Sequence, residues 1–344
     1  MNDRPDKSQP STGEPTNDKP TLFGTVLPFA KRWPLLVGVI AGLLLRFVFS
    51  GYPGSNWSAM TGAFIFGTPI VVGAVTVYVA ETTQRRSWPY YLYAPFLANC
   101  LFVLGTLIIM IEGLICAIVI VPMFALLGTA GGLCMGIVCR VTNWPKQTLY
   151  SVMAIPLLLG ALGGQIDTPD HVSAVKRSQF IAAPPATVWQ RLNQVDNIQP
   201  NEFNASWASK IGVPMPQSGI TRDTPQGRVR ESRWDKAVAF DELITDWQPE
   251  RFLRWTYRFT PESFPPHALD DHVMIGGHYF DLQDTAFTLT PSGDGTLLTI
   301  EAHYRVSTQF NFYADWVAQR LLGNMLETGL TFYQNRSEKG AKKL

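Results

Sequence analysis

Charge is nearly absent from the first half of this chain. Between Trp33 and Ile166 the only charged side chains are Arg46, Glu81, Arg85, Arg86, Glu112, Arg140 and Lys146. Beyond Asp167, charges of both signs return at ordinary soluble density. A helix that crosses a bilayer needs about 20 consecutive apolar residues, because the hydrocarbon core holds no water and every backbone group must pair within the segment. The runs Trp33–Phe49, Met60–Ala80, Tyr91–Ile111, Leu114–Cys139 and Thr148–Gly164 have this character. The pattern predicts an α-helical transmembrane bundle of about five helices over 31–166. The third and fourth runs are one apolar stretch interrupted only by Glu112-Gly113. It is too long for one crossing, so a tight helical hairpin is expected there, with one long span plus a re-entrant segment as the alternative.

Residues 1–30 form a polar tail with several prolines and no apolar periodicity, which cannot bury enough surface to offset its ordering entropy and is expected to be disordered. No small-residue cleavage pattern follows the first apolar run, so that run is expected to act as an uncleaved anchor. Orientation follows from the short loops. Lys31 and Arg32 precede the first run, Arg85 and Arg86 separate the second from the third, and Arg140 and Lys146 separate the fourth from the fifth. All of these fall on one side. With five crossings the N-terminus is expected in the cytoplasm and the second half outside, in the periplasm if the membrane is a bacterial inner membrane.

The balanced formal charge of +1 leaves no basic face for nucleic acid. All four cysteines, Cys100, Cys116, Cys134 and Cys139, lie in the apolar half and match no metal spacing, as expected of small apolar fillers. Arg46 is expected to snorkel to the interface, and Glu112 to mark the hairpin. No ladder of buried carboxylates or histidines crosses the apolar runs, which disfavours an ion or proton transporter.

The second half reads as strands followed by a long helix. Ala174–Ile181 opens it, and Pro185 starts a short helix that continues through Ala186–Val195. Gly227–Trp234 and Ala239–Trp247 are further strands. In Arg251–Thr260, Leu253, Trp255, Tyr257 and Phe259 alternate with Arg254, Thr256, Arg258 and Thr260. This period of two marks a sheet with one buried and one wet face. Tyr279–Thr290 and Leu297–Val306 are joined by a Pro-Ser-Gly-Asp-Gly turn signal, and Asn311–Arg336 has helical spacing. A short basic tail, 339–344, closes the chain.

Three stretches carry a family resemblance. VKRSQFIAAPPATVWQRL (Val175–Leu192), FDELITDWQPERFLRWTY (Phe240–Tyr257) and YRVSTQFNFYADWVAQRLL (Tyr304–Leu322) resemble the START-like, polyketide cyclase/dehydrase and lipid-transport superfamily (SRPBCC-type). The likeness covers nearly all of 171–338 and none of the apolar runs. It implies an α+β helix-grip fold, a curved antiparallel sheet around a long C-terminal helix with a cavity between them. It also implies an apolar ligand such as a membrane lipid, or a cyclase-like reaction on an apolar substrate.

The candidate cavity residues are Glu242, Trp255, Tyr257, Phe259, Phe287 and Tyr304. The rings either fill a core or line a cavity, since both use the same residue types. Glu242 shares a strand face with Phe240 and Ile244 and either reaches a ligand or pairs with one of Arg228, Arg230 and Arg233. His267, Asp270, Asp271, His272 and His278 form the densest titratable cluster, within a glycine- and proline-rich stretch that reads as a solvated loop rather than a metal site. There is no Gly-x-Ser-x-Gly elbow and no phosphate-cradling glycine loop, so no catalytic residue, metal or cofactor is assigned. The remaining expectation is an envelope assembly protein that docks onto a protein partner without a ligand.

Overall fold

The computed structural model describes residues 33–142, 150–162, 168–203, 206–225, 227–266, 268–270, 272 and 274–341. The polar tail with Lys31 and Arg32, Lys146, the join at 163–167, His267, Asp271 and residues 342–344 lie outside them.

A helix stands at each of the five expected positions: α1 (Pro34–Val48), α2 (Thr68–Glu81), α3 (Trp88–Ile108), α4 (Leu114–Val141) and α5 (Tyr150–Leu162). A π-helical turn, Ala63–Gly67, leads into α2 just ahead of Pro69, where proline removes a backbone donor from the regular ladder. Three stretches, Ala63–Glu81, Trp88–Ile108 and Leu114–Val141, are long and apolar enough to cross a membrane, whereas α1 is apolar but shorter. The expected hairpin at Glu112-Gly113 separates α3 from α4, and Met110, at φ 57°, turns the chain out of α3.

Helix α2 is the hub of the bundle. A side chain at its Gly73 would meet the carbonyl oxygen of Gly128 in α4 at 1.9 Å, so the two backbones touch. Asn99 of α3 donates from Nδ2 to the carbonyls of Pro95 (3.0 Å) and Pro69 (3.3 Å), tying α3 to α2. The basic residues gather at one end, where Arg140 donates to the Tyr91 hydroxyl (3.0 Å) and to the Arg86 carbonyl (2.7 Å). Arg46, Glu112 and Gly113 are at the other end, which meets the second half of the chain.

That second half is a curled antiparallel sheet of eight strands gripping a long helix, α8 (Asn311–Ala341). Strand order is β1-β8-β7-β6-β5-β4-β3-β2. The strands are β1 (His171–Ile181), β2 (Gln194–Val195), β3 (Pro216–Thr224), β4 (Gly227–Trp234), β5 (Ala239–Gln248), β6 (Phe252–Arg258), β7 (Phe280–Ser292) and β8 (Gly295–Val306). Register shifts between Ile244 and Asp246 in β5, and between Leu282 and Asp284 in β7, add the local bend that such irregularities give a sheet. The β7–β8 hairpin turns on Gly293 and Asp294, with glycine at φ 54°. Short helices α6 (Pro185–Asn193) and α7 (Trp207–Lys210) pack against α8. The expected alternation holds in β8, where Leu298, Ile300, Ala302 and Tyr304 are all buried.

Candidate functional site

The five aromatic residues singled out from the sequence fall into three packed clusters, and Glu242 stands apart in an ion pair. Trp255 and Phe287 sit in the main core with Leu253, Leu298, Ile300, Leu330 and Phe332. Their ring centroids are 4.9 Å apart, and Trp255 is 4% exposed. Phe259 and the partly buried Tyr257 stack 5.7 Å apart and pack against Phe240 and, with it, Phe264. Tyr304 belongs to a third cluster with Val306 and Ala318, and its hydroxyl donates to Asp315 at 2.7 Å. Burial pushes the Tyr304 hydroxyl up to about 12, and the Asp315 acceptor adds to the effect. Burial likewise raises Tyr257 well above the ordinary tyrosine value, with Glu242 as a second cause, and also raises Tyr333.

Glu242 finds its partner directly across the ladder. Strands β4 and β5 place Arg230 opposite Glu242, and Arg230 Nη1 lies 2.5 Å from Glu242 Oε2. Ser232 donates to the other carboxylate oxygen at 2.8 Å, and Arg230 Nε reaches the Leu192 carbonyl at 3.2 Å. The guanidinium also stands 5.3 Å from the centre of the Trp255 ring. Both charges are buried, so each satisfies the other's lone pairs or protons in a low-dielectric setting.

A cavity of about 220 Å³ lies elsewhere, where the grip domain meets the helix bundle. The bundle contributes Phe64, Phe102, Phe124 and Ile120. The sheet contributes Phe280 and Val306, and α8 contributes Ala314, Val317, Leu321 and Met325. Its walls are almost wholly apolar, with Arg46, Glu112 and His272 at the polar margin. Periodicity in either half alone carries no signal for this space, because each wall reads as an ordinary buried face of its own element. The one local hint is small residues on α8: Ala314 and Ala318 lie one turn apart on the face turned to the cavity.

The margin of the cavity is fixed by hydrogen bonds between the two halves. The Tyr279 hydroxyl accepts from the Gly54 amide (2.8 Å) and lies 2.7 Å from Ser58 Oγ. Gln309 accepts from the Gly62 amide at 2.6 Å, and the Tyr313 hydroxyl donates to the Val119 carbonyl at 2.6 Å. Arg46 does not snorkel. It is 5% exposed and donates from Nε to Glu112 Oε1 at 2.6 Å and from Nη1 to the Phe49 carbonyl at 3.0 Å. Glu112 thus does more than mark a turn.

Asp270 and His272, expected in a solvated loop, pack onto the same hairpin. Asp270 accepts from the Gly113 amide at 2.7 Å, and His272 Nε2 is 3.7 Å from Glu112 Oε2. Glu112, Asp270 and His272 offer ligand atoms within 4.8 Å of one another. Both carboxylates, however, already accept hydrogen bonds, Glu112 from Arg46 within the bundle and Asp270 from the Gly113 amide across the junction.

Residues 173–336 match the family model described as polyketide cyclase / dehydrase and lipid transport. Among solved structures, a START superfamily protein from Mycobacterium smegmatis is 15% identical, covering 48% of this chain and 97% of that one at a TM-score of 0.32. Protein MLL2253 from Mesorhizobium loti is 19% identical, covering 50% and 98% at 0.27. The di-domain ARO/CYC BexL from the BE-7585A biosynthetic pathway is 16% identical, covering 61% of each chain at 0.30. No curated protein matches. The family match and the helix-grip topology agree on one assignment: the second half of the chain is a START-like domain of the polyketide cyclase/dehydrase and lipid-transport family, joined to a bundle of apolar helices.

Proposed function

We propose that this is a membrane-anchored binding protein that holds an apolar ligand, a membrane lipid in the first instance, in the cavity between its two halves. The membrane unit spans 31–166 and the START-like domain 171–338. The observation that carries the reading is the cavity itself: it is apolar, and helices that would cross the bilayer supply one wall while the sheet and α8 supply the other. Apolar ligands have little aqueous concentration, so a pocket built partly from membrane helices meets its ligand where that ligand is abundant. The basic end of the bundle, with Arg85, Arg86 and Arg140, lies opposite the START-like domain. By the bias of basic residues toward the cytoplasm, the domain then faces outward, into the periplasm of a bacterial inner membrane.

The test is to purify the full chain in mild detergent, extract it with organic solvent and identify the apolar molecules by mass spectrometry. A near-stoichiometric lipid is expected, and Val317→Trp, which fills the cavity, should lose it while unfolding at an unchanged temperature. Wild-type protein that releases no apolar molecule and takes up no apolar fluorescent probe would overturn the reading. That result would move an envelope assembly role, with a protein as partner, to first place.

A further inference from the structure

We infer that the first three turns of α8 lie in the headgroup region of the bilayer, with Phe312 and Trp316 turned to lipid. The domain's own helix then seals the cavity against the membrane rather than against water. This rests on the proposed membrane crossing.

Two faces of α8 lead to it. Tyr313, Ala314, Val317 and Leu321 line the cavity, and the Tyr313 hydroxyl is bonded to Val119 in α4, so this face is fixed inward. The stripe flanking that face carries Phe312, Trp316 and Arg320, spaced one turn apart, with the Trp316 ring stacked 5.8 Å from Tyr313. Phe312 is 74% exposed and Trp316 50%, and the Arg320 guanidinium sits 4.3 Å from the centre of the Trp316 ring. Two large apolar rings capped by a stacked cation have the composition of a membrane-interface belt, where an amphipathic ring or a long cationic side chain keeps one end wet.

The level of the patch comes from α4. Val119 is five residues into that helix, about 7–8 Å from its start. Counting from Arg140 at the basic end back to Val119 gives twenty-one residues, or about 30 Å of helix, the thickness of the hydrocarbon core. The Tyr313–Val119 bond therefore lies at the boundary between hydrocarbon and headgroups on the domain side. Ile118, next to Val119, is 44% exposed, so an apolar side chain faces outward from α4 at this same level.

The experiment is site-directed spin labelling of the full chain in phospholipid vesicles, in a background with the four cysteines replaced. Labels go at Phe312→Cys and Trp316→Cys, with Ile118→Cys as the lipid reference and Asp294→Cys, at the distal hairpin, as the water reference. Collisional accessibility is then measured with oxygen and with a nickel chelate. Positions 312 and 316 should favour oxygen over the chelate at least threefold more than position 294 does. Chelate accessibility at 312 and 316 equal to that at 294, with 118 still protected, would overturn the inference and leave the membrane reading intact. Water-like behaviour at 118 would sink the membrane reading itself. If the cysteine-free background does not fold, emission of wild type minus Trp316→Phe in vesicles of brominated phospholipid decides the matter: quenching supports the inference and its absence overturns it.

Discussion

Arg230 and Glu242 illustrate what a single register position decides. The sequence offers three arginines on β4 as partners for Glu242, and the ladder selects the one directly opposite. Arg228 instead pairs with Asp223 at 2.7 Å and lies over the Trp247 ring. Removing one member of a buried ion pair leaves the other uncompensated, which costs about 3–5 kcal/mol, whereas replacing both by apolar residues of similar volume is often neutral. Glu242→Gln should therefore lower the unfolding temperature sharply, and the Arg230→Met/Glu242→Leu double variant should recover most of the loss. Thermal unfolding followed by near-UV circular dichroism is the measurement. A Glu242→Gln protein as stable as wild type, but with weakened ligand uptake, would instead assign the carboxylate to the ligand. The burial of Trp255 and Phe287 was legible as alternation in β6 and β7. The choice between filling a core and lining a cavity was not, because the same rings serve both.

At the scale of elements, apolar length and period two were enough for most of the architecture. The five apolar helices, the strands β1 and β4 to β8 and the long closing helix stand where run length, alternation and helical spacing place them. Strand β3 escaped because Pro216–Thr224 is largely polar and follows no alternation, and β2 is only two residues long. Those strands exist by pairing with neighbours rather than by their own pattern. Glycines give the helices a sharper test. Gly73 is held against the Gly128 backbone, so Gly73→Ala forces α2 and α4 apart and should cost about 1–3 kcal/mol. Gly329, inside α8, has open space where a Cβ would be added, so Gly329→Ala should raise stability by about 0.5–1 kcal/mol through lost unfolded-state freedom. Unfolding midpoints of the two variants in one detergent should move in opposite directions. A shift of the same sign in both would contradict the packing described for α2 and α4.

The whole molecule is held together by a junction that neither half announces. The sharp return of charge after Asp167 suggests two units that could be separated, and the START-like core of Leu253, Trp255, Leu298 and Leu330 is indeed complete without the bundle. Yet Tyr279 and Phe310 are buried where the bundle meets the domain, Tyr279 bonded to Gly54 and Phe310 in one cluster with Phe49, Phe64 and Phe124. Such contacts leave no periodic trace, since they join residues hundreds of positions apart, as Gly54 and Tyr279 do. A fragment beginning at Thr168 should therefore keep its sheet and α8, because its main core is intact, while baring the cavity wall. Its far-UV circular dichroism should be native-like, and it should bind a hydrophobic dye and self-associate in concentration-dependent fashion. Phe310→Ser with Val317→Ser in the same fragment should reduce both dye binding and association. A wild-type fragment that is monomeric and dye-free would mean that the domain closes its own wall, and that the cavity does not depend on the membrane helices.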